Sequence, residues 1–144
     1  MLRNKKGFTL IEMLVVIAII AVLVSIVIPV VTNSTDKAEA ATDAANLRSI
    51  LGYLNTELAA GGKEISTCVA AVDAPTSKLN PGAELHVLYT NPGFIEVYYV
   101  LDGSYYGLDY LSKVAQGLDV SSVSISKPTT SGTWYKAGSA EPIA

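Results

Sequence analysis

Residues Phe8 to Val31, FTLIEMLVVIAIIAVLVSIVIPVV, decide how this chain is built. Only Thr9, Glu12, Ser25 and Pro29 interrupt the apolar run. As a helix rising about 1.5 Å per residue, these 24 residues extend roughly 36 Å, enough to cross a hydrocarbon core of about 30 Å with some tilt. Arg3, Lys5 and Lys6 precede the run and no cation directly follows it. That asymmetry predicts a cytoplasmic N-terminal end and a translocated remainder. A secretory signal would place small residues at a cleavage point behind the apolar stretch, whereas Ser25 to Pro29 carries no A-x-A pattern.

Working outward, the 144-residue chain is half apolar and 16% charged, which excludes a disordered or collagen-like chain. Its net charge of −3 conceals a division: the three leading cations leave seven Lys/Arg against thirteen Asp/Glu in the rest. One cysteine, Cys68, rules out an intrachain disulfide framework, and one histidine, His86, disfavours zinc sites and histidine-based hydrolases. No nucleophile elbow, zinc-helix motif, phosphate loop or dinucleotide fingerprint occurs, so neither enzymatic activity nor a cofactor is expected. Asp102, Asp109 and Asp119 fit no EF-hand spacing and read as solvated carboxylates, so no metal is expected.

The span is preceded directly by Lys5-Lys6-Gly7, and Lys5 to Glu12 resembles the type IV prepilin motif. The likeness to type IV pilins and pseudopilins is close over about Lys5 to Ala45 and architectural beyond. It implies a leader, residues 1–7, removed by a prepilin peptidase between Gly7 and Phe8, with methylation of the new Phe8 amine. Glu12 stands where the family has its glutamate, and Pro29 where many members have a helix-bending proline. The resemblance further implies a homopolymer of many copies, driven by an ATPase through a membrane platform. The subunit would be single-pass in the cytoplasmic membrane, then extracellular in a pilus.

A carboxylate inside an apolar helix costs about 2.5–3.5 kcal/mol at mid-bilayer and less near an end. Glu12 therefore needs a partner, its own helix offers none, and the Phe8 amine of a neighbouring copy is the expected one, fixing axial register. An ordinary signal anchor, carrying an extracellular binding head, would instead let Glu12 reach the headgroups. Within the family, the alternative is a pseudopilin of a type II secretion or DNA-uptake system. Against the major secretion pseudopilin stands the lack of a recognisable calcium segment, and against the compact competence form stands the length of the chain.

Pro29 removes a helix donor, so kinking or local unwinding is expected around Ser25 to Pro29. Asp36 and Glu39 are spaced like a capping box restarting the helix. Ala40, Ala44, Leu47, Leu51, Leu54 and Leu58 then form a helical stripe for packing, with Asp43 off it, ending at Gly61-Gly62. The expected division is residues 8–31 as membrane and assembly helix, 32–60 as amphipathic helix and 61–144 as β-rich head.

In the head, Glu84 to Thr90 and Phe94 to Leu101 flank Asn91-Pro92-Gly93 and predict a hairpin. Tyr105 to Gly117 reads as a short helix, and Val120 to Lys127 as a strand paired with Thr133 to Lys136. Ile65 to Val72 fits strand or loop, and the tail from Ala137 to Ala144 is expected to be loose. Five of eight tyrosines, Tyr98, Tyr99, Tyr105, Tyr106 and Tyr110, cluster within thirteen residues and read as cross-strand packing rather than an adhesive surface. Lys113, Lys127 and Lys136 could form a local DNA-binding patch, though the acidic balance opposes tight backbone binding. The fold class is α+β: a long N-terminal helix, apolar then amphipathic, packed against a small antiparallel sheet.

Overall fold

The computed structural model describes residues 7–91 and 93–143. Arg3, Lys5 and Lys6, Pro92 of the predicted turn and Ala144 of the tail lie outside them. The elements run α1 (Leu10–Ala59), α2 (Ile65–Ala70), β1 (Glu84–Thr90), β2 (Phe94–Leu101), β3 (Ser104–Gly107), α3 (Leu108–Gln116), β4 (Thr133–Lys136) and β5 (Pro142–Ile143). The fold is α+β, a long apolar N-terminal helix with a five-stranded antiparallel sheet. Contacts divide the chain into two units, with the boundary between Thr35 and Asp36.

In the first unit every residue from Gly7 to Thr35 is exposed. The backbone stays helical through Pro29, which corrects the expected unwinding between Ser25 and Pro29. Proline already holds a helical φ and deletes one donor, while flanking bonds maintain the turn. The expected helix restart at Asp36 is likewise absent. Thr32, Ser34 and Thr35 instead behave as helix interior: their hydroxyls donate back to the carbonyls of Ile28, Val30 and Val31, as Ser25 does to Val22 at 2.7 Å. No hydroxyl in this stretch needs water.

In the second unit Ala40, Ala44, Leu47 and Leu54 are buried, while Leu51 and Leu58 are partly buried. Ile50 joins them. Asp43, expected on the solvent side, is fully buried, because the helix face is wider than a single stripe and a loop lies across it. Its carboxylate accepts from the Ser77 hydroxyl at 2.6 Å, Lys78 N at 2.8 Å and Leu79 N at 3.1 Å. Three donors offset the desolvation of the charge, and the loop before β1 is thereby fastened to α1.

Strand order is β3-β2-β1-β4-β5. The β1–β2 hairpin occupies the predicted residues, with Glu84 opposite Val100 and Thr90 opposite Phe94. Period-two alternation turns Leu85, Val87, Ile95, Val97 and Tyr99 into the core shared with α1, and Tyr99 donates its hydroxyl to Pro75 O at 3.1 Å. Burial raises the Tyr99 phenol above its ordinary pKa.

Elsewhere the strands depart from expectation. Tyr105 and Tyr106 belong to β3, and the helix begins only at Leu108. The two-residue loop Asp102-Gly103, at φ of 49° and 79°, turns β2 back into β3 before a helix can start. Gly117, at φ 70°, then closes α3, with Leu118 N reaching Lys113 O and Gly117 N reaching Val114 O. Thr133 to Lys136 pairs with β1 and not with Val120 to Lys127, which forms no strand. Tyr135 opposite Val87 buries apolar surface, whereas alternate serines in Val120 to Lys127 offer little to bury. Nor is the tail loose: Pro142 and Ile143 pair with Tyr135 and Trp134. Ile65 to Ala70 settles as helix, burying Ile65, Cys68 and Val69.

Asp43→Ala leaves Lys78 N, Leu79 N and the Ser77 hydroxyl without their acceptor, and is expected to cost about 2–4 kcal/mol. Urea unfolding of the full chain in detergent checks the magnitude; hydrogen exchange should show the loss concentrated at Lys78 and Leu79.

Candidate functional site

The first residues of α1 bring together the groups on which the sequence reading concentrates. Thr9 precedes the helix and its side chain closes the first turn. Thr9 N and Thr9 Oγ1 donate to Glu12 Oε2 at 2.8 and 2.7 Å, and Glu12 N donates to Thr9 Oγ1 at 3.3 Å. This is a reciprocal capping box, in which two orphan donors of the helix start are satisfied by side chains three residues apart. The expectation that Glu12 finds no partner in its own helix is therefore corrected. Thr9, absent from the predicted site, is the residue that sequence reasoning missed; the Thr-x-x-Glu spacing was available to find it.

Both donors fall on Oε2. Among the described residues Oε1 of Glu12 has no donor, so one oxygen is committed to the chain and the other is open. Phe8 is 77% exposed, beside the backbone of Gly7. A Cβ built on Gly7 meets nothing within 4 Å, so a larger side chain there disturbs no contact among the described residues. Pro29 lies in the middle of α1, on the exposed stretch.

The run around these residues matches the model of the prokaryotic N-terminal methylation motif over residues 2–28. The chain carries the signature of type IV pilins and pseudopilins. No curated protein and no solved structure matches it. The motif implies processing by a prepilin peptidase and an assembling, pilin-like product, consistent with a chain that is first anchored in a membrane.

The head's candidates stand apart from this site. On the sheet face opposite α1 Tyr105 packs edge-on to Tyr98 and Trp134, Tyr98 lies tilted against Trp134, with ring centroids 5.3–6.1 Å apart, and Lys127 lies 5.7 Å over the tryptophan. Tyr106 and Tyr110 form a second pair at 5.3 Å. Lys113 pairs with Asp109 at 3.0 Å and Lys136 with Glu84, so the three lysines engage separate partners. The Lys136 ammonium, with His86 Nε2 at 3.4 Å, holds Glu84 below the ordinary carboxylate range. Asp119 accepts from Ser121, and Asp102 sits at a turn; no cluster able to hold a metal occurs among the described residues. Cys68 is buried.

A peptidase cutting after Gly7, as the resemblance implies, would need a small residue there, so Gly7→Leu is expected to abolish leader removal while disturbing no contact among the described residues. Immunoblotting of membranes for precursor and mature forms checks this; efficient maturation of the variant would separate Gly7 from processing.

Proposed function

We propose that this chain is a structural subunit of an extracellular type IV pilus, held as a single-pass protein in the cytoplasmic membrane before assembly. What carries the reading is an apolar surface at the start of the chain: from Phe8 to Val31 every residue is exposed among the described residues, while the methylation motif spans this start. Contiguous apolar surface of this extent does not persist in water. A bilayer covers it first, and the same segments of neighbouring copies cover it in the fibre.

The capping box supports a division of labour at Glu12. Removing residues 1–7 leaves Thr9 N–H in place, so the intrachain cap outlives the cut. The cut also creates an ammonium at Phe8. Oε1 is then the acceptor for the Phe8 amine of an adjacent subunit, a charge-assisted contact in which each copy serves as donor and acceptor along the fibre. Methylation of Phe8 preserves the charge. Pro29 acts further along: with one fewer internal bond to break, the helix is easiest to extend there when the segment leaves lipid for the fibre. Ala40, Ala44, Leu47, Leu51, Leu54 and Leu58 hold the head on the helix, so that assembling the helices displays the heads outward. The prepilin peptidase and methyltransferase, the assembly platform and its ATPase are the partners this route requires.

Glu12→Val tests it. Insertion should be undiminished because the span becomes more apolar. In the fibre, a Phe8 ammonium among packed helices loses its acceptor, at a cost of about 3–5 kcal/mol for a buried pair broken on one side. Sheared fibres should fall below detection while mature subunit accumulates in the membrane; normal fibre yield would remove the ion pair from the account.

A further inference from the structure

The head contains a cleft of about 410 Å³ between α1, β2 and the start of α3. Leu47, Leu51, Val97 and Leu108 supply apolar walls, and Glu96 and Asp109 bring carboxylates to it. One side is a strand edge. β2 pairs with β1 over its full length, but its ladder to β3 ends at the Tyr98–Gly107 pair. There the chain leaves the sheet for α3, passing so close that a Cβ on Gly107 would lie 2.9 Å from the Tyr98 ring. Among the described residues Phe94 to Val97 are thus paired on one side only, and the cleft lies along this open edge beyond the end of β3, with Val123 and Ser124 on its lining.

We propose that this cleft is a peptide-docking site, which takes an extended segment of a different protein by strand addition to the edge of β2. Strand addition gives main-chain bonds to the unpaired edge, and alternate side chains of the incoming segment then face opposite sides of the sheet. Those facing inward land on Leu47, Leu51 and Leu108. Those facing outward stand beside Glu96, which makes no ion pair among the described residues, whereas Asp109 already has Lys113. The complementary segment alternates apolar with basic side chains. A second copy of this chain fits poorly. Its alternating stretch Val120 to Lys127 is already engaged in its own head, with Val123 and Ser124 lining the cleft, Ile125 O accepting from Tyr105 N at 2.7 Å and Lys127 over Trp134. The inference does not depend on the fibre reading, since the cleft lies wholly within the second unit.

The experiment uses the full chain, isotopically labelled, in a neutral detergent, with a capped synthetic heptapeptide of alternating valine and lysine as probe. Saturable shifts and slowed hydrogen exchange are expected at the amides of Ile95 and Val97. Glu96→Lys, a change at the half-exposed rim, should weaken binding about tenfold by turning an opposite-charge cross-strand pair into a like-charge one. The same peptide with alternate backbone amides methylated should not bind. Equal binding of the methylated peptide, indifference to Glu96→Lys, shifts confined to other residues, or self-association of the chain through this edge would each overturn the proposal.

Discussion

A helical stretch from Leu10 to Val31 that is apolar on every side but for Glu12 and Ser25 has no stable place in water, and the architecture of this chain follows from that constraint. A helix packed on one domain needs one apolar face. Here Leu10 to Val31 has no polar face to offer, and the hydroxyls of Ser25, Thr32, Ser34 and Thr35 turn inward to backbone carbonyls. The cover must come from outside the chain. Lipid and a bundle of identical helices are both adequate solvents for such a surface, and the methylation motif at its start is the signature of type IV pilins and pseudopilins.

The same helix changes character after Thr35, where small and branched residues meet a sheet. Asp43 illustrates how the join is secured: a charge buried on α1 accepts three donors from the loop that leads into β1, tying the hairpin to the helix. At the N-terminal end of α1, Thr9 and Glu12 do comparable work with one carboxylate oxygen. Each site uses a charge for local order, but among the described residues Glu12 keeps one carboxylate oxygen without a donor whereas both oxygens of Asp43 accept.

Local pattern was legible where the relevant partners are close in sequence. The β1–β2 hairpin could be read residue for residue because two runs of β-formers flank one turn. Asp102-Gly103 carried an equally local signal, and with it β3 becomes readable in place of the first turn of a helix. The partner of β4 was not legible, since β1 lies more than forty residues away and pairing there is decided by which edge buries Tyr135 and Trp134. Asp43 was misread for the same reason: its donors arrive from residues 77 to 79. In the candidate site, Gly7, Phe8 and Glu12 stood out through the motif. Thr9 was overlooked because a glutamate in an apolar run suggests an external partner before an internal cap.

The intact mass of the polypeptide recovered from its native membrane tests the central claim most directly, that the apolar segment is retained and newly exposed at its start for assembly. The account predicts a chain beginning at Phe8, bearing one added methyl group and continuing through the span to the head. A chain still carrying residues 1–7, or one cut behind Val31 so that the head is released without its helix, would contradict it.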